Sequence, residues 1–308
     1  MTQLEQLVQI AGEGCVKEQE SMASHTTFRI GGPAEYFIEV TSVDVLRNVI
    51  RWCREQNEPW FVLGNGSNLL VADTGIRGVV LSMRGMHQIE VAEPETLPDG
   101  SVHCRVTAQS GALLSALASA AAKTGLTGLE FAGGIPGTLG GAVVMNAGAY
   151  GGEIKDVLTS ATVLYQDGSI ETLSCEQLEL SYRHSIVPEK EAIVLEAVFT
   201  LHPGEKETIL ETMRTLNGQR KEKQPLEYGS AGSTFKRPEG YFAGKLIQDA
   251  GLRGYRCGDV MVSEKHCGFV VNVGKGTCEQ ALQVIHHVQE EVRRQFGVEL
   301  ELEVKQIP

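Results

Sequence analysis

GLTGLEFAGGIPGTLGGAVVMNAGAYGGE, residues 125–153, decides how the rest of this chain is read. Ten glycines fall between Gly125 and Gly152. A flexible linker of that glycine content would be serine-rich and polar. Here the glycines alternate with Leu, Phe, Ile, Val, Met and Tyr, which predicts ordered backbone lying close to something bulky. Two readings follow for the segment GGIPG (133–137) with Gly140, Gly141, Asn146 and Gly148. One is a set of tight chain crossings inside a domain. The other is a rigid wall, its turn fixed by Pro136, against a pyrophosphate or a flat ring.

A second glycine loop lies upstream. GNGSN, residues 64–68, follows the apolar run Trp60–Leu63. One reading is a plain turn; the other is a small anion-binding concavity of backbone N–H groups, to which Ser67 and Asn68 add side-chain donors. The loop is not the dinucleotide fingerprint GxGxxG, since position 69 is leucine, and no GxxxxGK[ST] occurs in the chain. Two glycine loops about seventy residues apart in the sequence suggest one phosphate-containing cofactor held by two small lobes.

Outward from these loops the pattern is mixed. Residues 42–57 repeat apolar positions at helical spacing, with Leu46, Val49, Ile50 and Cys53 on one face. Short strands are predicted at 60–63, 79–81 and 102–108, a polar loop at 93–100, and an alanine-rich helix over 111–123. Residues 157–165 and 169–173 flank Gln166-Asp167-Gly168 and predict a hairpin, and 193–201 a strand. HPGEKE (202–207) reads as a domain boundary before a charged helix, 206–223, and 225–238 as a loop region. Thr277 and Gln280 form a capping-box pattern at the start of an amphipathic helix, 277–296. Glu299 to Val304 alternates as a strand, with Leu300, Leu302 and Val304 on one face. The first region thus alternates helix and strand and ends near residue 88, and the second ends at the boundary 202–207.

Composition narrows the function. Lys plus Arg is 27 against 39 Asp plus Glu, a net charge of −12, which disfavours a broad nucleic-acid surface. Seven dispersed cysteines without a CxxC pair give no disulfide framework and no thiolate zinc site. The histidines at 184, 266, 286 and 287 show no metal-ligand spacing. No basic, apolar leader opens the chain, and the most apolar run, 112–122, is too short to span a bilayer. A cytoplasmic protein with no metal and no membrane partner is expected.

The strings GNGSNLLV (64–71), EFAGGIPGTLGGAVVMNAGAYGGE (130–153) and Tyr182-Arg183-His184 resemble the FAD-binding half of the UDP-N-acetylenolpyruvoylglucosamine reductases. GSAGSTFKRP (229–238), AGKLIQDAGLRG (243–254), HCGFVVN (266–272) and the final Glu303 are similar to the substrate-binding half. The likeness runs in order from Thr27 to Glu303. It implies a two-lobed FAD-binding domain of the vanillyl-alcohol-oxidase (PCMH-like) kind, 1–88 and 89–203, followed by an α+β substrate-binding domain, 204–308. The family's shorter form, which lacks an extra tyrosine-bearing loop, is the nearer match. FAD would be non-covalent, because residues 64–68 contain no histidine or cysteine.

The same resemblance implies NADPH as reductant and the enolpyruvyl ether of UDP-N-acetylglucosamine as substrate. The product, UDP-N-acetylmuramate, belongs to peptidoglycan synthesis and so to cell-wall biogenesis, cell shape and cell division. FAD would meet Gly64, Asn65, Gly66, Ser67, Asn68, Gly133, Gly134, Ile135, Pro136, Gly137, Gly140, Asn146 and Gly148. Three residues are matched to catalytic roles. Arg183 would stabilise charge at the substrate carboxylate, Ser233 would donate the proton, and Glu303 would assist at that end. Ser230 is a neighbouring rival to Ser233, and Glu301 shares a strand face with Glu303. Lys236, Arg237, Lys245, Gln248, His266 and Asn272 are candidate substrate contacts. A monomer or weak homo-oligomer is expected. The rivals are a flavin oxidase acting on another small molecule and a non-catalytic flavin or nucleotide-sugar sensor.

Overall fold

A computed structural model describes residues 1–308 as an α+β chain with seven α-helices. It forms two compact units that are not contiguous in sequence. The first comprises residues 1–16, 38–65 and 80–220, and the second 17–37, 66–79 and 221–308. The chain passes from one to the other inside strands Val16–Ser21, Pro33–Glu39 and Ile76–Ser82, inside the first glycine loop after Asn65, and inside a helix after Arg220. The linear cuts at 88/89 and 203/204 therefore describe sequence order, whereas the spatial grouping interleaves it.

In the first unit, helices α1 (Gln3–Ala11) and α2 (Val43–Gln56) begin on side-chain caps. Thr2 accepts from the Glu5 amide and Ser42 from Val45. These caps satisfy orphan N–H groups of the first turn. α2 ends at Asn57 in the left-handed conformation, and Trp52 Nε1 donates to Gln6 Oε1 at 2.6 Å, tying the helices together. The unit's main sheet is antiparallel, in the order 170–174, 158–164, 193–203, 102–109, 89–91. Its middle strand, Ile193–Pro203, alternates buried and half-buried residues, as a strand covered on one face should. The hairpin predicted around 166–168 forms with Leu164 opposite Ile170, and Gly168 takes φ +88°.

Helix α3 (Leu114–Lys123) sinks Leu114, Leu117, Ala118 and Ala121 into the core below this sheet. Alanine at those positions lets the helix approach closely with little loss of side-chain entropy. The short helix α4 (Leu139–Val144) lies within the glycine-rich stretch and buries Leu139, Ala142 and Val143. Gly140 lets α4 lie close to Ser110, since a Cβ would sit 3.0 Å from the Ser110 side chain, a tight contact. The charged helix α5 runs Lys206–Lys223, with Ile209 its single buried residue.

The second unit holds an antiparallel four-stranded sheet in the order 229–230, 270–272, 260–262, 256–257. Helix α6 (Ala243–Asp249) and helix α7 (Cys278–Phe296) belong to its core. The stripe Ala281, Val284, Ile285, Val288 and Val292 is wholly buried, and the capping box at Thr277 and Gln280 forms as the spacing predicts. Asp73 adds to that cap: its carboxylate accepts from the Cys278 and Glu279 amides at 2.8 and 3.0 Å. A negative charge there complements the helix dipole. No helix in the chain is long and apolar enough to cross a membrane.

The strand expected at 299–304 needs correction. Regular pairing lies one step later, where Lys305–Ile307 runs parallel to Leu69–Val71. Residues 299–304 form no strand and carry a single bridge, between Phe235 and Leu302. Leu300 and Val304 are still buried, so the in-out alternation holds without a continuous ladder.

Candidate active site

In the first unit the two glycine segments meet. Asn65 Nδ2 donates to the Pro136 carbonyl at 2.6 Å, and Arg84 Nη1 donates to Asn65 Oδ1. A Cβ on Gly64 would collide with Thr138 Oγ1, so glycine is what allows the approach. Gly133 and Gly134 lie under helix α5. A Cβ on Gly134 would come within 2.8 Å of Asn217 Oδ1 and 3.1 Å of Arg220 Cδ. Burial pushes the Arg220 guanidinium below its ordinary value, and Tyr150 opposes that shift. Arg84, Thr138, Asn217 and Arg220 were not singled out from the sequence. Arg84, Asn217 and Arg220 act from segments whose own pattern reads as ordinary loop or charged helix, whereas Thr138 lies within the glycine-rich stretch itself.

One buried atom bears on a phosphate-carrying cofactor. Ser110 is 1% exposed, lies against Gly140, and its Oγ has no hydrogen-bond partner in the protein. A buried hydroxyl left unpaired is costly, and a ligand oxygen would satisfy it. The glycine-lined surroundings fit such a group. In the sequence Ser110 is only the serine of a strand-to-helix turn, which gives no signal.

Arg183 stands at the corner of a two-residue turn. Ser181 and His184 exchange backbone hydrogen bonds, each 3.2 Å, and Arg183 takes φ +56°. That conformation usually falls to glycine or asparagine. The residue is half-buried, and its guanidinium carbon lies 5.1 Å from the centroid of the exposed Tyr182 ring.

In the second unit the backbone of Glu303 bonds the residue that follows Ser233. Thr234 N donates to the Gly268 carbonyl, and Thr234 Oγ1 accepts from Val270 N at 3.0 Å. The Thr234 carbonyl accepts from Glu303 N at 2.9 Å, and Lys236 N donates to the Glu301 carbonyl at 2.8 Å. Segment 234–236 thus pairs with 301–303 beside Ser233. Gly232, at φ +77°, turns the chain into this ladder. Gly66, Ser67 and Asn68 belong to the same unit. Asn68 Nδ2 donates to the Glu303 carbonyl at 3.0 Å, and a Cβ on Gly66 would strike the His25 carbonyl.

The remaining candidates differ in availability. Lys236 Nζ pairs with Glu301 at 3.2 Å, and Arg237 stacks over the exposed Phe242 ring at 4.0 Å. Lys245 is exposed and bonds Asp249, while Gln248 accepts from Arg253 at 2.7 Å. His266 Nδ1 accepts from Gly268 N at 3.1 Å, and burial pushes its pKa down. Asn272 and Asn146 depart from the open contacts expected of them. Asn272 is 5% exposed; its amide donates to the Phe28 and Arg29 carbonyls and its oxygen accepts from Gly274 and Gly276. Asn146 is fully buried, with both side-chain ends bonded inside the protein. Each side chain is a lock within its unit, because an amide already paired on both ends has little left for a ligand.

Residues 224–307 match the C-terminal domain of UDP-N-acetylenolpyruvoylglucosamine reductase, and residues 34–174 match an FAD binding domain. The chain is 57% identical over 294 residues to the UDP-N-acetylenolpyruvoylglucosamine reductase of Agathobacter rectalis, covering 94% of this chain and 93% of that protein. The chain belongs to this reductase family. It is 52% identical to the Lachnoclostridium phytofermentans member, over 99% of this chain and 96% of the relative. The crystal structure of the Thermus caldophilus member superposes with a TM-score of 0.79 at 36% identity, covering 94% of this chain and 98% of that one. As a member of the family the chain is an FAD-dependent oxidoreductase of α+β architecture.

Proposed function

We propose that the enzyme reduces the enolpyruvyl ether of UDP-N-acetylglucosamine to UDP-N-acetylmuramate, with NADPH as electron source, in cytoplasmic peptidoglycan precursor synthesis. The reading takes residues 1–88 and 89–203 as the FAD-binding lobes and 204–308 as the substrate-binding domain. The observation that carries it is the pairing of 234–236 with 301–303, which sets Ser233 beside Glu303 within the matched C-terminal domain.

Bound FAD supplies the chemistry of accepting a hydride and delivering it to the alkene. FAD would be held without a covalent bond by the backbone of Gly64 and Asn65 and by Gly133, Gly134, Ile135, Pro136, Gly137, Gly140 and Gly148, and Ser110 Oγ would supply a donor to it. Hydride addition to the enolpyruvyl group leaves negative charge running toward the substrate carboxylate. Arg183 stabilises that charge with a planar guanidinium suited to two-pronged carboxylate binding. Ser233 gives the proton to the adjoining carbon, and Glu303 orders the donor end of the site. Lys236, Arg237, Lys245, Gln248 and His266 meet the nucleotide sugar, while Asn146 and Asn272 shape the loops behind these contacts.

The test has two parts. Purified protein should be yellow and carry FAD released by simple denaturation. NADPH oxidation should then depend on added enolpyruvyl UDP-sugar. Colourless protein that cannot be loaded with FAD, or turnover indifferent to the sugar, would reject this function; the second result favours a general flavin oxidase.

A further inference from the structure

We infer that Asn146 and Glu153 are positioning residues for Arg183, clamping the corner from which that guanidinium projects. The inference rests on the catalytic reading of Arg183 and adds what holds it in place.

Both ends of the corner are tied to one short stretch, residues 144–146. Asn146 Nδ2 donates to the Ser181 carbonyl at 3.0 Å, just before the turn. Ser185 Oγ, 2% exposed, donates to the Val144 carbonyl at 2.8 Å, just after it. Asn146 is itself left-handed, at φ +40°, and its oxygen accepts from Lys155 N at 3.0 Å. Asparagine suits the site twice: it tolerates positive φ, and its amide offers donors and an acceptor together.

Glu153 completes the clamp. Its Oε2 accepts from Asn146 Nδ2 at 2.7 Å and lies 3.2 Å from Lys155 Nζ. The hairpin register that places it pairs Gly148 with Glu153 and Ala149 with Gly152, around Tyr150 and Gly151, both at positive φ. A side chain on Gly148 would meet Glu153 Cγ at 2.8 Å, so that glycine makes room for the carboxylate. Burial disfavours the Glu153 charge, but hydrogen bonds from Lys155 and Asn146, and the charges of Lys155 and Arg183, hold its carboxyl below the ordinary range. An ionised carboxylate is thus set within electrostatic reach of Arg183.

The physical need is clear. A non-glycine residue at positive φ persists where its surroundings over-determine it. An arginine on an unsupported two-residue corner would sample many positions, and small misplacements of a reacting group slow a reaction steeply. The clamp supplies the constraint without touching substrate.

The test uses FAD-loaded enzyme and the enolpyruvyl UDP-sugar. Asn146→Gly keeps the backbone conformation and removes the clamp, Asn146→Asp removes the donor, and Glu153→Gln removes the charge. Flavin content, visible spectrum and reduction by NADPH should stay at wild-type values. Reoxidation by the sugar should slow by roughly 10- to 100-fold in rate, with little change in KM. In an Arg183→Ala background the same substitutions should change that step by less than about twofold, since they act through Arg183. Independently of activity, the Ser181 and His184 amides of Asn146→Gly should exchange hydrogen faster. Equal losses with and without Arg183, unchanged amide exchange, or a normal sugar step in all three variants beside a crippled Arg183→Ala would overturn the inference. Normal sugar reduction by Arg183→Ala would instead sink the catalytic reading of Arg183, and the positioning role with it. Should Asn146→Gly not fold, Asn146→Asp and Glu153→Gln carry the same cycle.

Discussion

Arg183 and Ser233 are held by opposite means. Arg183 sits on an exposed corner fixed from behind by side chains, Asn146 and Ser185. Ser233 adjoins Thr234, which is fixed mainly by backbone bonds to Gly268 and Glu303, with one side-chain bond to Val270. The difference matters because side-chain clamps can be removed one atom at a time, whereas a backbone ladder survives most substitutions within it. The cation's placement is therefore vulnerable to remote mutation. The proton donor's placement is vulnerable at Ser233 itself and at the single hydroxyl of Thr234.

The largest expected effects fall on the two residues themselves. Ser233→Ala should leave flavin reduction by NADPH intact and slow sugar reduction by about 10²- to 10⁴-fold, the usual range for a lost general acid. Near-normal product formation would reject Ser233 and turn attention to Ser230. Arg183→Ala should slow the same step by about 10²- to 10³-fold. Stopped-flow kinetics of the two half-reactions read both.

Thr234 probes the ladder. Thr234→Val keeps the shape but leaves the Val270 N–H without its acceptor, at a cost of about 1–3 kcal/mol. The urea midpoint should fall, and Thr234→Ser should restore most of it. If Val is as stable as Thr, the backbone alone holds this segment and the contrast with Arg183 sharpens.

The smallest effect concerns His266. Burial lowers its pKa, and its Nδ1 already accepts a hydrogen bond from Gly268, so the folded protein favours the neutral ring. The unfolded chain binds the proton more readily. Stability contributed by this residue is thus present above the ordinary histidine value of about 6.5 and declines as pH falls through it toward the lower folded value. NMR titration should give a midpoint below that ordinary value; one at or above it would overturn the assignment.

Much of this arrangement is legible in the sequence. The amphipathic spacing of residues 43–56 and 278–296 and the Thr277 box each carry their own signal, because helix period and caps are local. The Gln166-Asp167-Gly168 hairpin is equally local. The end of the chain shows where that stops. Leu300 and Val304 alternate like strand residues, yet the regular pairing begins at Lys305, since a strand needs a partner and Leu69–Val71 lies far away in sequence. Ser110 and Arg220 gave no signal, because a turn serine and a helix arginine become informative only once burial removes their usual partner, water. Asn146 was legible as a member of the glycine stretch but not as a lock, since its partners Ser181 and Glu153 depend on how two turns are brought together.

By itself, then, the sequence determined the four longest helices, the Gln166-Asp167-Gly168 hairpin, the glycine segments and, through their order, the reductase family. Those features depend on residues near one another or on motifs that survive being read in a line. Only the tertiary structure decided that the units interleave along the chain, that Glu303 is bonded beside Ser233, and that Asn146 Nδ2 holds the turn that carries Arg183. Burial and hydrogen-bond saturation depend on neighbours dozens to hundreds of residues away, and local spacing holds no record of them.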